Sequence, residues 1–129
     1  MKIFSCLILP TACLFLAGCG SNQVPLGGKV TFQDGKPLKT GVVCFSTGTF
    51  MAEGRLNENG EYTVGSLKDN DGLPPGTYKV YIQGAIEYNA KEQGVSLIHK
   101  KFTEPNTTPF SFEAKKSGDK TFNIEVSPP

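Results

Sequence analysis

"PPGTYKVYIQG", residues 74–84, opens on a proline-glycine turn and then alternates, so that Tyr78, Val80 and Ile82 share one face while Thr77, Lys79 and Tyr81 share the other. A period of two with β-branched and aromatic residues reads as a half-buried strand. Residues 121–126 repeat the pattern with Phe122, Ile124 and Val126. Shorter stretches at 29–32, 42–46, 50–56, 61–64 and 110–114 read the same way, giving seven expected strands. Between them stand Asp34-Gly35, Asn59-Gly60, Asp71-Gly72, Pro75-Gly76 and Ser117-Gly118, each with a glycine free to take the backbone angles of a tight turn. No stretch sustains a helical period. Seven short strands at this spacing predict an all-β fold, a seven-stranded antiparallel β-sandwich.

The connection over residues 83–99 is longer than a compact domain usually needs, and loops of that length are often functional. It carries Ile86, Tyr88, Val95, Leu97 and Ile98, too many apolar side chains for disorder, and is expected to fold over an open end or edge of the sandwich. Residues 90–93 could make one helical turn. Tyr88 and the basic run His99-Lys100-Lys101 are the candidate ligand-contact residues of this segment.

At the other end of the chain, Met1-Lys2 is a short basic start, followed by a mostly apolar run and then Leu16-Ala17-Gly18-Cys19-Gly20. The run is shorter than the roughly 20 residues a membrane-spanning helix needs, and small residues precede the cysteine as a peptidase would require. Leu16-Ala17-Gly18-Cys19 resembles the lipobox of bacterial lipoproteins. That resemblance implies cleavage between Gly18 and Cys19, removal of residues 1–18 as a signal helix, and diacylglycerol and an acyl chain on the Cys19 thiol and amine. Two or three acyl chains hold a protein on a membrane essentially permanently. Residues 19–25 would then be a lipidated linker and residues 26–129 a single domain, in contact with membrane lipid through Cys19. Gly20 is not the aspartate that keeps many Gram-negative lipoproteins at the inner membrane, so the outer membrane is preferred for such a cell.

Lys2 is one of 13 basic residues, and its loss with the leader leaves them equal in number to the 12 acidic ones. That balance argues against a nucleic-acid partner. Of four cysteines, Cys6 and Cys13 leave with the leader and Cys19 is the lipidation site, so Cys44 has no partner for a disulfide. Within "GVVCFS" it reads as a small buried hydrophobe.

"GGKVTFQDGKPLKTGVVCFS", "GRLNENGEYTV", "GLPPGTYKVYIQG" and "DKTFNIEV" together resemble the transthyretin-like (prealbumin-like), carboxypeptidase regulatory-like domains of secreted and cell-surface proteins, immunoglobulin-like sandwiches in architecture. The resemblance extends to small bacterial lipoproteins built of one such domain, except that His99 stands where proline is common and Phe102 where tyrosine is. The fold does not fix a function. The enzyme branch of the fold, which opens 5-hydroxyisourate, uses several histidines, an arginine and a C-terminal Tyr-Arg-Gly-Ser; this chain has one His, one Arg, and ends Ser127-Pro128-Pro129.

Other chemistry is equally sparse. His99 has no nucleophile or carboxylate motif beside it. Asp69 to Gly72 imitates the middle of a calcium loop, but Leu67 and Tyr78 stand where acids are needed, and a turn is expected instead. The leading expectation is therefore a non-catalytic, lipid-anchored binding or structural module of the cell envelope, facing protein or glycan, with no cofactor, metal or catalytic residues. The alternatives are an accessory subunit or cryptic hydrolase using His99 and residues 83–100 with Asp69 or Asp71, and an oligomeric small-ligand carrier.

Overall fold

Turn chemistry divides the chain into short strands, and the computed structural model, which describes residues 23–66, 68 and 70–129, arranges them as an all-β sandwich. The expected leader, the Gly18–Cys19 cleavage site and most of the linker lie outside the described residues. The strands are β1 (Gly27–Phe32), β2 (Val42–Ser46), β3 (Met51–Arg55), β4 (Glu61–Thr63), β5 (Gly76–Gln83), β6 (Ile86–Tyr88), β7 (Gly94–Ser96), β8 (Phe110–Ala114) and β9 (Ile124–Val126). One layer has the order β4-β1-β9 and the other β3-β2-β5-β8, so the seven strands expected from alternation are the seven of the sandwich.

The inward positions supply the core. Val43, Phe45, Tyr78, Val80 and Ile82 face Val30, Tyr62, Ile124 and Val126, all buried. Phe45 sits among four rings, with centroids at 6.1 Å to Tyr62, 6.2 Å to Phe112, 6.3 Å to Phe122 and 6.5 Å to Tyr78. Tyr78 enters the core body-first and keeps its hydroxyl satisfied by donating to the Pro74 carbonyl at 2.6 Å. That bond ties the strand to the proline turn before it, which is why the turn and the tyrosine go together.

Two features depart from the expected pattern. Strand β9 runs parallel to β1, pairing Val30 with Ile124 and Phe32 with Val126, so the sheet pairings are not all antiparallel. It also starts at Ile124 rather than at 121, because Phe122 turns its carbonyl to the Tyr62 hydroxyl and Asn123 takes the Lys29 N–H on its side-chain oxygen at 3.0 Å. The long connection, second, is a β6–β7 hairpin with Glu87 opposite Val95. No helical turn forms at 90–93. Asn89 Oδ1 accepts from Lys91 N at 2.9 Å and Gln93 N at 3.0 Å, pulling the backbone into a hairpin turn with Glu92 at φ 58°.

The two ends of the sandwich are distinct. Val24 exchanges both backbone bonds with Leu73, just ahead of β5, at 2.7 and 3.0 Å. Gln83 ends β5 at the opposite pole, eight residues and roughly 23 Å on. The β6–β7 hairpin and the segment leading to His99 follow there.

Candidate functional site

The basic run forms a structural cap. His99 precedes a 3-10 turn over Lys100–Thr103, its Nδ1 accepts from Lys101 N at 3.1 Å, and its own N–H donates to the Ser127 carbonyl at 2.8 Å. With Nδ1 an acceptor, the neutral ring carries its proton on Nε2. Lys100 reaches Glu104 at 3.9 Å on the surface, and the Lys101 ammonium lies 5.0 Å above the Phe102 ring. Phe102 is the anchor of this segment, stacked on Phe110 at 5.4 Å. Histidine and lysines are thus brought together, but around a buried phenylalanine. Tyr88 is on the hairpin, 73 % exposed, and no hydrogen bond or ring contact joins it to His99, Lys100 or Lys101.

Asp71 belongs to the other pole. Its carboxylate accepts from Ser66 N at 2.6 Å and from Lys68 N at 3.1 Å, closing the loop that leads into Leu73. The length of β1 and β9 separates it from His99, which hangs on Ser127 just past the far end of β9. The expected turn at 70–72 is present, with Asn70 at φ 63° and Gly72 at φ 87°; Asp69 lies outside the described residues. Among those described, no cluster of three His, Cys, Asp or Glu is placed to hold a metal ion.

Cys44 is buried at 1 % exposure, yet it faces away from the core. It lies opposite Glu53 on β3 and Tyr81 on β5, and Tyr81 covers it while donating to Met51 Sδ at 3.4 Å. Burial, and then the Glu53 carboxylate, push its thiol up to about 11, so it is a poor nucleophile near neutrality.

Two concavities stand out among the described residues. A small one of about 370 Å³ lies between Phe32, Leu38, Lys39 and the hairpin residues Ile86 and Leu97. Ile86 and Tyr88 stand exposed on one face of the hairpin and Val95 on the other. The larger, about 660 Å³, is a polar cleft along the flank, where β3 and β4 part company to join different sheets. Glu53 exchanges both backbone bonds with Gly65, at 2.9 and 3.0 Å, and Asn57 N donates to Glu61 O at 2.9 Å. Between these ties the Thr63 carbonyl packs against Gly54. Gly54 makes the geometry feasible, since a Cβ there would lie 2.7 Å from the Thr63 carbonyl. Glu53, Arg55, Glu61, Thr63 and Lys68 line the cleft. None of these was singled out in the sequence, although "AEGR", with small residues inward and charged ones outward, carried the signal.

No protein-family model and no curated protein matches this sequence. Among solved structures, a 9R-lipoxygenase from Cyanothece PCC8801 aligns with a TM-score of 0.39 and 16 % identity, over 88 % of this chain and 18 % of that one. The chain spans under a fifth of that enzyme's length, and a likeness this slight says nothing of activity.

Proposed function

We propose that the chain is a lipid-anchored, non-catalytic binding module of the bacterial cell envelope, held to a membrane surface through acylated Cys19. The observation that carries this reading is the short run of chain between the lipobox cysteine and the first anchored residue of the fold. Val24 is buried and locked to Leu73 by two backbone bonds. Five residue steps from Cys19 cannot stretch beyond roughly 17 Å. A thiol so placed ties the Val24 end of the sandwich close to the bilayer, and the β6–β7 hairpin then points away from it.

The separation of His99 from Asp71 supports a binding role over hydrolysis, as does the use of both side chains in closing their own loops. Flotation of the full chain expressed in a bacterial host tests the proposal. The wild-type chain floats with membrane vesicles through a high-salt wash, whereas a Cys19→Ser variant stays in the soluble fraction. Equal distribution of the two would refute it.

A further inference from the structure

The outer face of the four-stranded sheet carries a stack of three side chains that the core does not use. Tyr81 on β5 lies opposite Cys44 on β2, while Met51 opens β3 opposite Ser46. The Tyr81 hydroxyl nonetheless donates to Met51 Sδ at 3.4 Å. With strands about 4.8 Å apart, that contact spans roughly 10 Å from β5 to β3 and passes over β2. Exposure rises outward through the stack: Cys44 is 1 % exposed, Tyr81 6 % and Met51 49 %. A cysteine on the face turned away from the core is thus shielded by a ring, and the ring is held by a sulfur that solvent reaches.

That sulfur is the one an oxidant meets. Met51 is the only methionine after Met1. A thioether sulfur accepts hydrogen bonds weakly and has two lone pairs to do it with. One is turned to the Tyr81 hydroxyl, so a peroxide arriving from solvent finds the other. This free lone pair attacks one peroxide oxygen, forming the S–O bond as the O–O bond breaks. The departing hydroxide takes the proton from the oxygen left on sulfur and leaves as water. The product is a methionine sulfoxide of one hand. Its sulfur is electron-poor and no longer accepts from Tyr81, and its oxygen points to solvent on the far side.

We propose that Met51 is a peroxide-oxidation site whose sulfoxide releases Tyr81 and uncovers Cys44. The freed hydroxyl turns to Ser46, which stands beside it, and draws the ring along β2 away from the thiol. The step is undone by the reductases that return sulfoxide to thioether, each acting on one epimer. This goes beyond the binding module argued above and does not depend on it.

The test treats the full-length chain, in detergent, with hydrogen peroxide to a single added oxygen, and locates it by tandem mass spectrometry. Oxygen is expected on Met51, as one epimer that only one of the two epimer-specific methionine sulfoxide reductases restores. N-ethylmaleimide should then label Cys44 roughly fivefold faster or more than in the untreated chain. Met51→Leu, without an oxidisable sulfur, should show no acceleration. Tyr81→Phe, which keeps the ring but not the hydroxyl, should give both epimers. Should it not fold, Met51→Gln puts a sulfoxide-like oxygen in place and should label fast without peroxide. Cys44 oxidised ahead of Met51, equal epimers in the wild-type chain, an unchanged labelling rate after oxidation, or acceleration that persists in Met51→Leu would each overturn the proposal.

Discussion

The Tyr62 hydroxyl donates a hydrogen bond to the Phe122 carbonyl, and this one bond both ends strand β9 early and closes the three-stranded sheet over Phe45. Gly28 completes the arrangement. A Cβ at that position would run into the Phe122 carbonyl and stand 2.9 Å from the Tyr62 hydroxyl. Tyr62→Phe keeps the ring but leaves the Phe122 carbonyl without its donor, an expected loss of about 1–3 kcal/mol. Urea denaturation measures it as a lower midpoint at unchanged slope.

Gly28→Ala is expected to cost about 3 kcal/mol, the upper end of overpacking penalties, because backbone stands in the way and cannot swing aside. Gly35→Ala is the contrasting case: it has open space around it and a φ of 86°, so only left-handed backbone strain of about 1 kcal/mol is expected. Thermal melts of the two variants, compared side by side, check the ranking.

Stability falls on the alkaline side. Burial raises the hydroxyls of Tyr62, Tyr78 and Tyr81 above their ordinary range, and burial, then Glu53, carries the Cys44 thiol from 9.0 to about 11. In every case the folded state prefers the neutral form. Below pH about 8 both states hold these protons and the groups contribute no slope. Above about 9 for the thiol and about 10 for the phenols the unfolded chain releases protons first, so the unfolding free energy drops as pH rises. Melting curves at pH 7 to 11 should show this fall, and Tyr62→Phe should make it shallower.

Tyrosines and Cys44 aside, Thr108 is the one buried side chain with a polar group among the described residues. Its hydroxyl donates to the Val80 carbonyl at 2.5 Å and accepts from Phe110 N at 3.2 Å, fixing the entry to β8. Thr108→Val is expected to lose about 1–3 kcal/mol, and Thr108→Ser to retain most of it. Chemical denaturation of both variants separates hydroxyl loss from methyl loss.

The sandwich strands were legible because one face of each is buried and the other is not, which writes a period of two into residues such as Tyr78, Val80 and Ile82. The β6–β7 hairpin was not, since all six of its strand residues are exposed and burial imposes no alternation on them. Its turn was hidden in a side chain: Asn89 organises residues 90–93, whose composition alone favours a helix. The parallel pairing of β9 depends on where a remote strand docks, which local periodicity does not encode. Tyr88, His99, Lys100 and Lys101 drew notice by chemical type, yet the fold uses His99 as a cap and sets Tyr88 apart on the hairpin. The β3–β4 cleft went unread because its charged residues are ordinary surface residues until the two strands part.

The proposed tether is Cys19, and the intact mass of the protein purified from bacterial membranes tests it most directly. The expected result is a chain beginning at Cys19 with the added mass of diacylglycerol and an acyl group, lost in Cys19→Ser. A soluble product cut near residue 19 and carrying no lipid would contradict the surface tether.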